Sequence, residues 1–406
     1  MINNNIVSKI LLSTIVLAIP LYIIRFSIFG IPTTVTEIVI YFAFIVWLIC
    51  RSWTKQKINW HLPWALWAWL AVGFISALVN PDVLSGLGYF KAYFFDPMLV
   101  YLIIANEYQS AKLIVPKVLI VVGLIVGAIS CAGFWGWQVV ADGRWLGWFG
   151  LEPFASPNYL SLFLVPIFAM SILAIWAWRS WWRYLAVAST LVIAIALWGT
   201  QSRGALIGIA GGIIVALIWY LIKKHDRTTS YRWLGLSAIT LIILAAATFY
   251  FAKPDFMASP TDGRVATSNN VRWYIWQTSI EIIKQKPILG VGLGNYQNYF
   301  TEMTKDRVNY PEFISPLALS AHNLYLNIFA TMGIIGLIVF IWLLCVIVKY
   351  ISNTPRSATM AMVIAGLMSM LFYGLVDTPY FKNDLSLLWW IIVGLIISYH
   401  QQERKI

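Results

Sequence analysis

Gly204-Ala-Leu-Ile-Gly-Ile-Ala-Gly-Gly-Ile-Ile-Val-Ala-Leu-Ile-Trp-Tyr-Leu-Ile222 carries no charged side chain and stops at Lys223-Lys224. A helix needs about 20 consecutive apolar residues to cross a bilayer, and this run has that length. Residues 118–131 form another continuous apolar run. A transmembrane β-barrel would instead alternate apolar and polar residues in segments of about ten, so the barrel is excluded. Over the whole chain, 60% of the 406 residues are hydrophobic and 11% are charged. A soluble domain carries about a quarter charged residues, so lipid must be the solvent here.

The spans expected from hydropathy are 8–29, 34–50, 62–79, 93–106, 118–138, 159–178, 184–200, 204–222, 233–252, 319–348, 358–376 and 385–399. The fold class is therefore an all-α integral membrane protein of about twelve transmembrane helices. It reads as a single polytopic domain over 1–406, with one long external loop at 253–317. The first run, 10–24, lacks a clear small-x-small cleavage site and is read as a retained span, with Arg25 snorkelling at its outer end.

Charge orients the bundle. Lys9, Arg51, Lys55, Lys57, Lys112, Lys117, Arg179, Arg183, Lys223, Lys224, Arg227, Arg232, Lys349, Arg356, Arg404 and Lys405 all fall in loops or ends on one side. They make up 16 of the 28 Lys and Arg residues, and seven of the other twelve lie in the long loop, which counts little. Both termini are expected in the cytoplasm. The net charge of +12 is thus a topology signal, and no soluble basic face is left for nucleic acid. Many of the 22 tryptophans, among them Trp60, Trp64, Trp145, Trp148, Trp178, Trp181 and Trp182, sit near span ends as interfacial belts. Cys50, Cys131 and Cys345 lie in or beside apolar runs and read as packing residues.

In the long loop, Ser268-Asn-Asn270 can cap a helix that Pro287 would end. Val271, Tyr274, Ile275, Thr278, Ile282 and Ile283 recur at helical spacing, with Lys284 and Lys286 at the negative end of the dipole. An amphipathic helix along the membrane or over the bundle is expected. Gly290-Val-Gly-Leu-Gly294 lacks the Lys-Ser/Thr pair of a P-loop and reads as a flexible turn.

Polar features collect on the same side. Ser202-Arg203-Gly204 opens a span, where the helix N-terminus and a guanidinium would attract an anion; a snorkelling arginine is the equal alternative. Arg264 and Arg272 flank the start of the amphipathic helix and could clamp a phosphate, although solvated loop charges explain them more simply. His322 is the one histidine expected outside and opens a long apolar run, with Ser320 as a possible cap. A helix N-terminus favours the neutral imidazole and suits a general base, and a capping role explains it equally well. Ser156-Pro-Asn158 opens another span near Arg144, with Asn158 read first as a cap. Asp96 and Asp377 could each serve an arginine partner.

Together these residues resemble the O-antigen ligase and polymerase superfamily of bacterial envelope enzymes. The resemblance rests on Ser202-Arg203-Gly204, Arg272-Trp273, the Pro287, Gly290 and Gly292 stretch, His322-Asn323 with Leu326 and Gly333, and Pro157-Asn158-Tyr159, and covers 140–340. It implies transfer of a glycan from a polyprenyl diphosphate carrier on the outer face of the cytoplasmic membrane, with no metal and no cofactor. The acceptor would be a lipid-linked glycan core in a ligase, another glycan repeat in a polymerase, or a protein hydroxyl. The resemblance makes Arg203 and Arg272 the diphosphate contacts and His322 the group that deprotonates or orients the acceptor. Asn158 and Asn323 come with it as substrate-binding residues, and Arg264 is added for its closeness in sequence. The short external loop favours the ligase. A transporter or flippase is the alternative of a different class, but it would gather its polar groups near the midplane.

Overall fold

The computed structural model describes residues 4–28, 31–60, 62–134, 144–145, 156–222, 268–306 and 318–403. Its helices are α1 (Asn4–Ala18), α2 (Val35–Trp53), α3 (Trp64–Val79), α4 (Val83–Phe90), α5 (Asp96–Asn106) and α6 (Tyr108–Phe134). There follow α7 (Pro157–Ala177), α8 (Trp181–Thr200), α9 (Arg203–Ile222), α10 (Ser268–Gln285), α11 (Tyr296–Thr304), α12 (Leu324–Asn353), α13 (Ala358–Tyr373) and α14 (Asn383–Glu403). Among the described residues, eight helices, one of them α4 running into α5, are long and apolar enough to span a membrane, and α3, α13 and α14 are shorter and apolar. These occupy every expected span except 233–252, which lies outside the described residues. The protein is an all-α integral membrane protein.

The first span departs from expectation at its end. α1 tightens into a 3₁₀ turn at Ile19–Ile23 and gives way to a two-strand hairpin, Arg25–Ile28 paired antiparallel with Ile31–Thr34. Thr34 then caps α2: its hydroxyl accepts from Glu37 N–H while the Glu37 carboxylate accepts from Thr34 N–H. A π-turn at Lys91–Phe95 joins α4 to α5.

Close helix packing is bought with small residues. Gly208, Gly211 and Gly212 of α9 face α13, where an added Cβ would overlap Phe372, Ser369 or the Ala365 carbonyl. α13 is thereby buried along its length between α7 and α9.

The amphipathic helix falls where the capping residues and Pro287 place it. Ile275, Trp276, Thr278, Ser279 and Ile282 of α10 are buried, and Ile275 and Ile282 share a cluster with Tyr296, Phe300, Ala321 and Ala330. The helix therefore lies over the bundle, against α11 and α12.

The glycine-rich stretch after it is not a flexible turn. α12 breaks at Gly333, where φ is +67°, and the 287–293 backbone is inserted at the break. Val291 N–H donates to the Ala330 carbonyl at 2.9 Å and Gly292 N–H to Thr331 at 3.0 Å, while Ile334 N–H donates to Pro287 at 2.8 Å. On the other side Leu293 N–H donates to the Ser76 carbonyl and the Asn80 amide donates to the Leu293 carbonyl. Broken helix is tolerated within a bundle only when its freed backbone groups find partners of this kind. Gly290, Gly292 and Gly294 all have positive φ and no room for a Cβ, which explains the motif sterically.

Candidate active site

One end of the bundle is tied together by the starts and ends of six spans. Leu324 N–H at the start of α12 donates to the Gly374 carbonyl just past α13. The Tyr373 hydroxyl bonds to Ser161 of α7 at 2.5 Å and to Ser202 before α9 at 2.7 Å. Lys382, before α14, reaches Asp384 at 3.6 Å and stands over the rings of Tyr159 and Tyr22. The expected site residues that the structure describes lie around these junctions.

His322 has φ +45°, in the left-handed region that non-glycine residues seldom adopt. Its turn is held from all sides. Asn323 caps α12 through Tyr325 N–H and Leu326 N–H, and its amide also donates to the Leu375 carbonyl at 2.8 Å. Trp276 of α10 donates to the His322 carbonyl, and the Ser320 hydroxyl accepts from His322 N–H and from Thr378. Asn323, not Ser320, is therefore the cap, and its amide serves the fold at both ends. Strain held this firmly is characteristic of working sites.

The imidazole meets a carboxylate. His322 Nδ1 lies 3.3 Å from Asp377 Oδ1, with the histidine side chain 27% exposed and the aspartate 3%. Burial pushes the Asp377 carboxyl up, but the charge and hydrogen bond of His322, the Arg272 guanidinium and the Thr378 N–H together hold it below the ordinary value. Asp377 thus serves a histidine at contact and an arginine through space. The other acid, Asp96, accepts from the Tyr41 hydroxyl at 2.6 Å rather than from an arginine. Asp377 Oδ2 is buried with no hydrogen-bond partner among the described residues.

Arg272 sits in the second turn of α10, half-buried and close enough to act on both Asp377 and Tyr373. Arg203 begins α9 with an exposed side chain. Its neighbours Ser202 and Gly204 both press on Tyr373: Ser202 by its hydroxyl, Gly204 by leaving no space for a Cβ, which would come 2.5 Å from the ring. The Ser202 hydroxyl is thus paired with Tyr373. Asn158 lies within the first turn of α7, one residue past Pro157, and Ser156 holds the cap position. Its carbonyl accepts from Ser161. Arg264 lies outside the described residues. The structure therefore brings His322, Arg272 and Asn323 together, and sets Arg203 and Asn158 on helix starts joined to them through Tyr373.

Residues 188–341 match the family described as O-antigen ligase, a stretch that includes Arg203, Arg272 and His322. The likeness is to O-antigen ligases. The O-antigen ligase of Salmonella typhimurium is 28% identical over 212 residues, covering 49% of this chain and 48% of that protein. A Rickettsia conorii protein named "Putative polysaccharide ligase" is 26% identical over 237 residues, 52% of this chain and 54% of its own. A Rickettsia felis protein of the same name is 25% identical over 232 residues, again 52% and 54%. The chain spans about half the length of the curated relatives it matches. The resemblance read from the motifs holds, on the ligase side. Asp377 and Tyr373 lie beyond the stretch matched to the O-antigen ligase family.

Proposed function

We propose that this protein is a ligase that transfers a glycan from a polyprenyl diphosphate carrier to an acceptor hydroxyl at the outer face of the cytoplasmic membrane. The observation that carries the reading is the His322–Asp377 pair, held on a strained turn beside Arg272. A carboxylate on Nδ1 fixes the imidazole so that Nε2 is the nitrogen left to take a proton.

The step balances without a further reactant. The acceptor oxygen bonds to the anomeric carbon as the bond to the carrier diphosphate breaks. The hydroxyl proton passes to His322, and the electron pair leaves on the diphosphate. Arg272 and Arg203 neutralise the charge that builds there, which is where preorganised donors act most strongly. Direct displacement of this kind inverts the anomeric centre. Arg264 and Asn158 complete the proposed substrate contacts, and Asn323 supports the site through the turn it caps.

The orientation we infer rests on charge: the Leu324–Asn353 helix starts, and the Ala358–Tyr373 helix ends, beside His322, so Lys349 and Arg356 belong to their other ends, which the positive-inside rule assigns to the cytoplasm. Both termini are then cytoplasmic. Likeness to proteins named as ligases favours a lipid-linked acceptor over a growing glycan repeat.

The test is reconstitution in liposomes with a polyprenyl diphosphate-linked glycan and candidate acceptors, read by mass spectrometry. A lipid-linked acceptor that gains one glycan supports the ligase. Products that grow by glycan repeats would make it a polymerase, and movement of donor across the bilayer without transfer would make it a transporter.

A further inference from the structure

We propose that Tyr373 is a positioning residue that sets Arg203 relative to the His322–Asp377 pair, through its hydroxyl bonds to Ser202 and Ser161. The inference rests on the reading of Arg203 as a diphosphate contact.

Tyr373 is the last residue of α13 and is 1% exposed. Val376 N–H and Asp377 N–H both donate to its carbonyl, at 3.0 and 3.1 Å, so one turn of backbone carries both Tyr373 and Asp377. Its hydroxyl lies 2.5 Å from Ser161 Oγ and 2.7 Å from Ser202 Oγ. Ser161 follows Asn158 by one turn of α7 and bonds to its carbonyl at 3.0 Å, while Ser202 immediately precedes Arg203. One phenol therefore joins the start of α7, the start of α9 and the turn bearing the carboxylate.

Packing alone does not call for this hydroxyl. A phenylalanine ring would fill the same space between α7 and α9. The oxygen is needed only if the two serines must be held. Gly204 supports the point from the other side, because its missing Cβ is what lets α9 start against the Tyr373 ring. Serine and glycine on either side of Arg203 are both explained by one contact, while Arg203 itself stays exposed.

The test compares Tyr373→Phe, Ser202→Ala and the double variant in the full-length protein, reconstituted with a polyprenyl diphosphate-linked glycan and a lipid-linked acceptor. Ser202→Ala should raise the donor KM about three- to tenfold, the scale of one lost neutral hydrogen bond. Tyr373→Phe, which loses the bonds to both serines, should raise it at least as much, and neither should change the acceptor KM. The double variant should do no worse than Tyr373→Phe, because that change already removes the bond to Ser202. Ser202→Ala reads the same bond if Tyr373→Phe folds poorly. Donor KM values equal to the parent's in both single variants, or losses in kcat alone, would overturn the inference. Arg203→Ala in the same assay separates the two claims. If it behaves like the parent, the diphosphate role of Arg203 fails; if it is impaired while the Tyr373 and Ser202 variants are normal, only the positioning role fails.

Discussion

His322 Nδ1 and Asp377 Oδ1 stand 3.3 Å apart although 55 residues separate them in the chain. The distance is long for a charged hydrogen bond, and contacts of this type commonly tighten only when substrate is bound. The pair orients the imidazole and leaves Nε2 as its proton-accepting nitrogen. His322→Ala should lower turnover by about 10²- to 10⁴-fold, the usual worth of a general base, without loss of expression. Asp377→Asn keeps the shape but not the charge and should lower turnover by at least about tenfold. Steady-state transfer rates in liposomes check both.

Arg203→Lys keeps the charge and loses the planar two-point contact. Transfer should fall about ten- to a hundredfold, as expected for a lost charge-assisted hydrogen bond, with the deficit chiefly in donor KM. Parent-like donor kinetics would leave Arg203 as an interface anchor.

The inserted glycine segment makes a prediction about stability. Gly292 has φ +95° and an added Cβ would lie 2.5 Å from the backbone nitrogen of Asn80. Gly333→Ala would drive a methyl group into the Ile288 carbonyl. Backbone strain alone costs about 1–3 kcal/mol at such positions, and the clash adds to it. Both variants should unfold at lower temperature in detergent than a control substitution at exposed Lys286.

Acidity gives a further check. Asp377 is held below the ordinary carboxylate value, so its contribution to stability is fully present above about pH 3.9 and is lost as pH falls through the lowered value. Asp377→Asn should therefore be less stable than the parent near neutral pH, with the gap closing only in strong acid. Thermal unfolding in detergent from about pH 3 to pH 7 measures it. A gap that closes well above pH 4 would mean that the carboxyl is not depressed.

The spans were legible because apolar runs of membrane length leave little choice of structure. Residues 268–285 were legible too, since Ser268, Pro287 and the spacing of Ile275, Thr278 and Ile282 all point to the same helix. The insertion of 287–293 into α12 was not legible. It is made by backbone hydrogen bonds, and only the glycines hinted at it. Asp377 was visible as an acid, but an arginine was the partner expected; choosing histidine required knowing that the end of α13 meets the start of α12. Tyr373 was hidden within an apolar run, where one hydroxyl does not alter the hydropathy. The hairpin after α1 was missed because Phe26 and Ile28 read as a continuation of the span.

The central claim is that His322 takes the acceptor proton at the same end of the bundle where two arginines meet a lipid-borne diphosphate. Single-turnover transfer from a polyprenyl diphosphate-linked glycan, with parent, His322→Ala and Arg272→Ala proteins in liposomes, measures this most directly. The account predicts a product of inverted anomeric configuration from the parent and almost none from either variant. Product formed at the parent's rate by His322→Ala would contradict it.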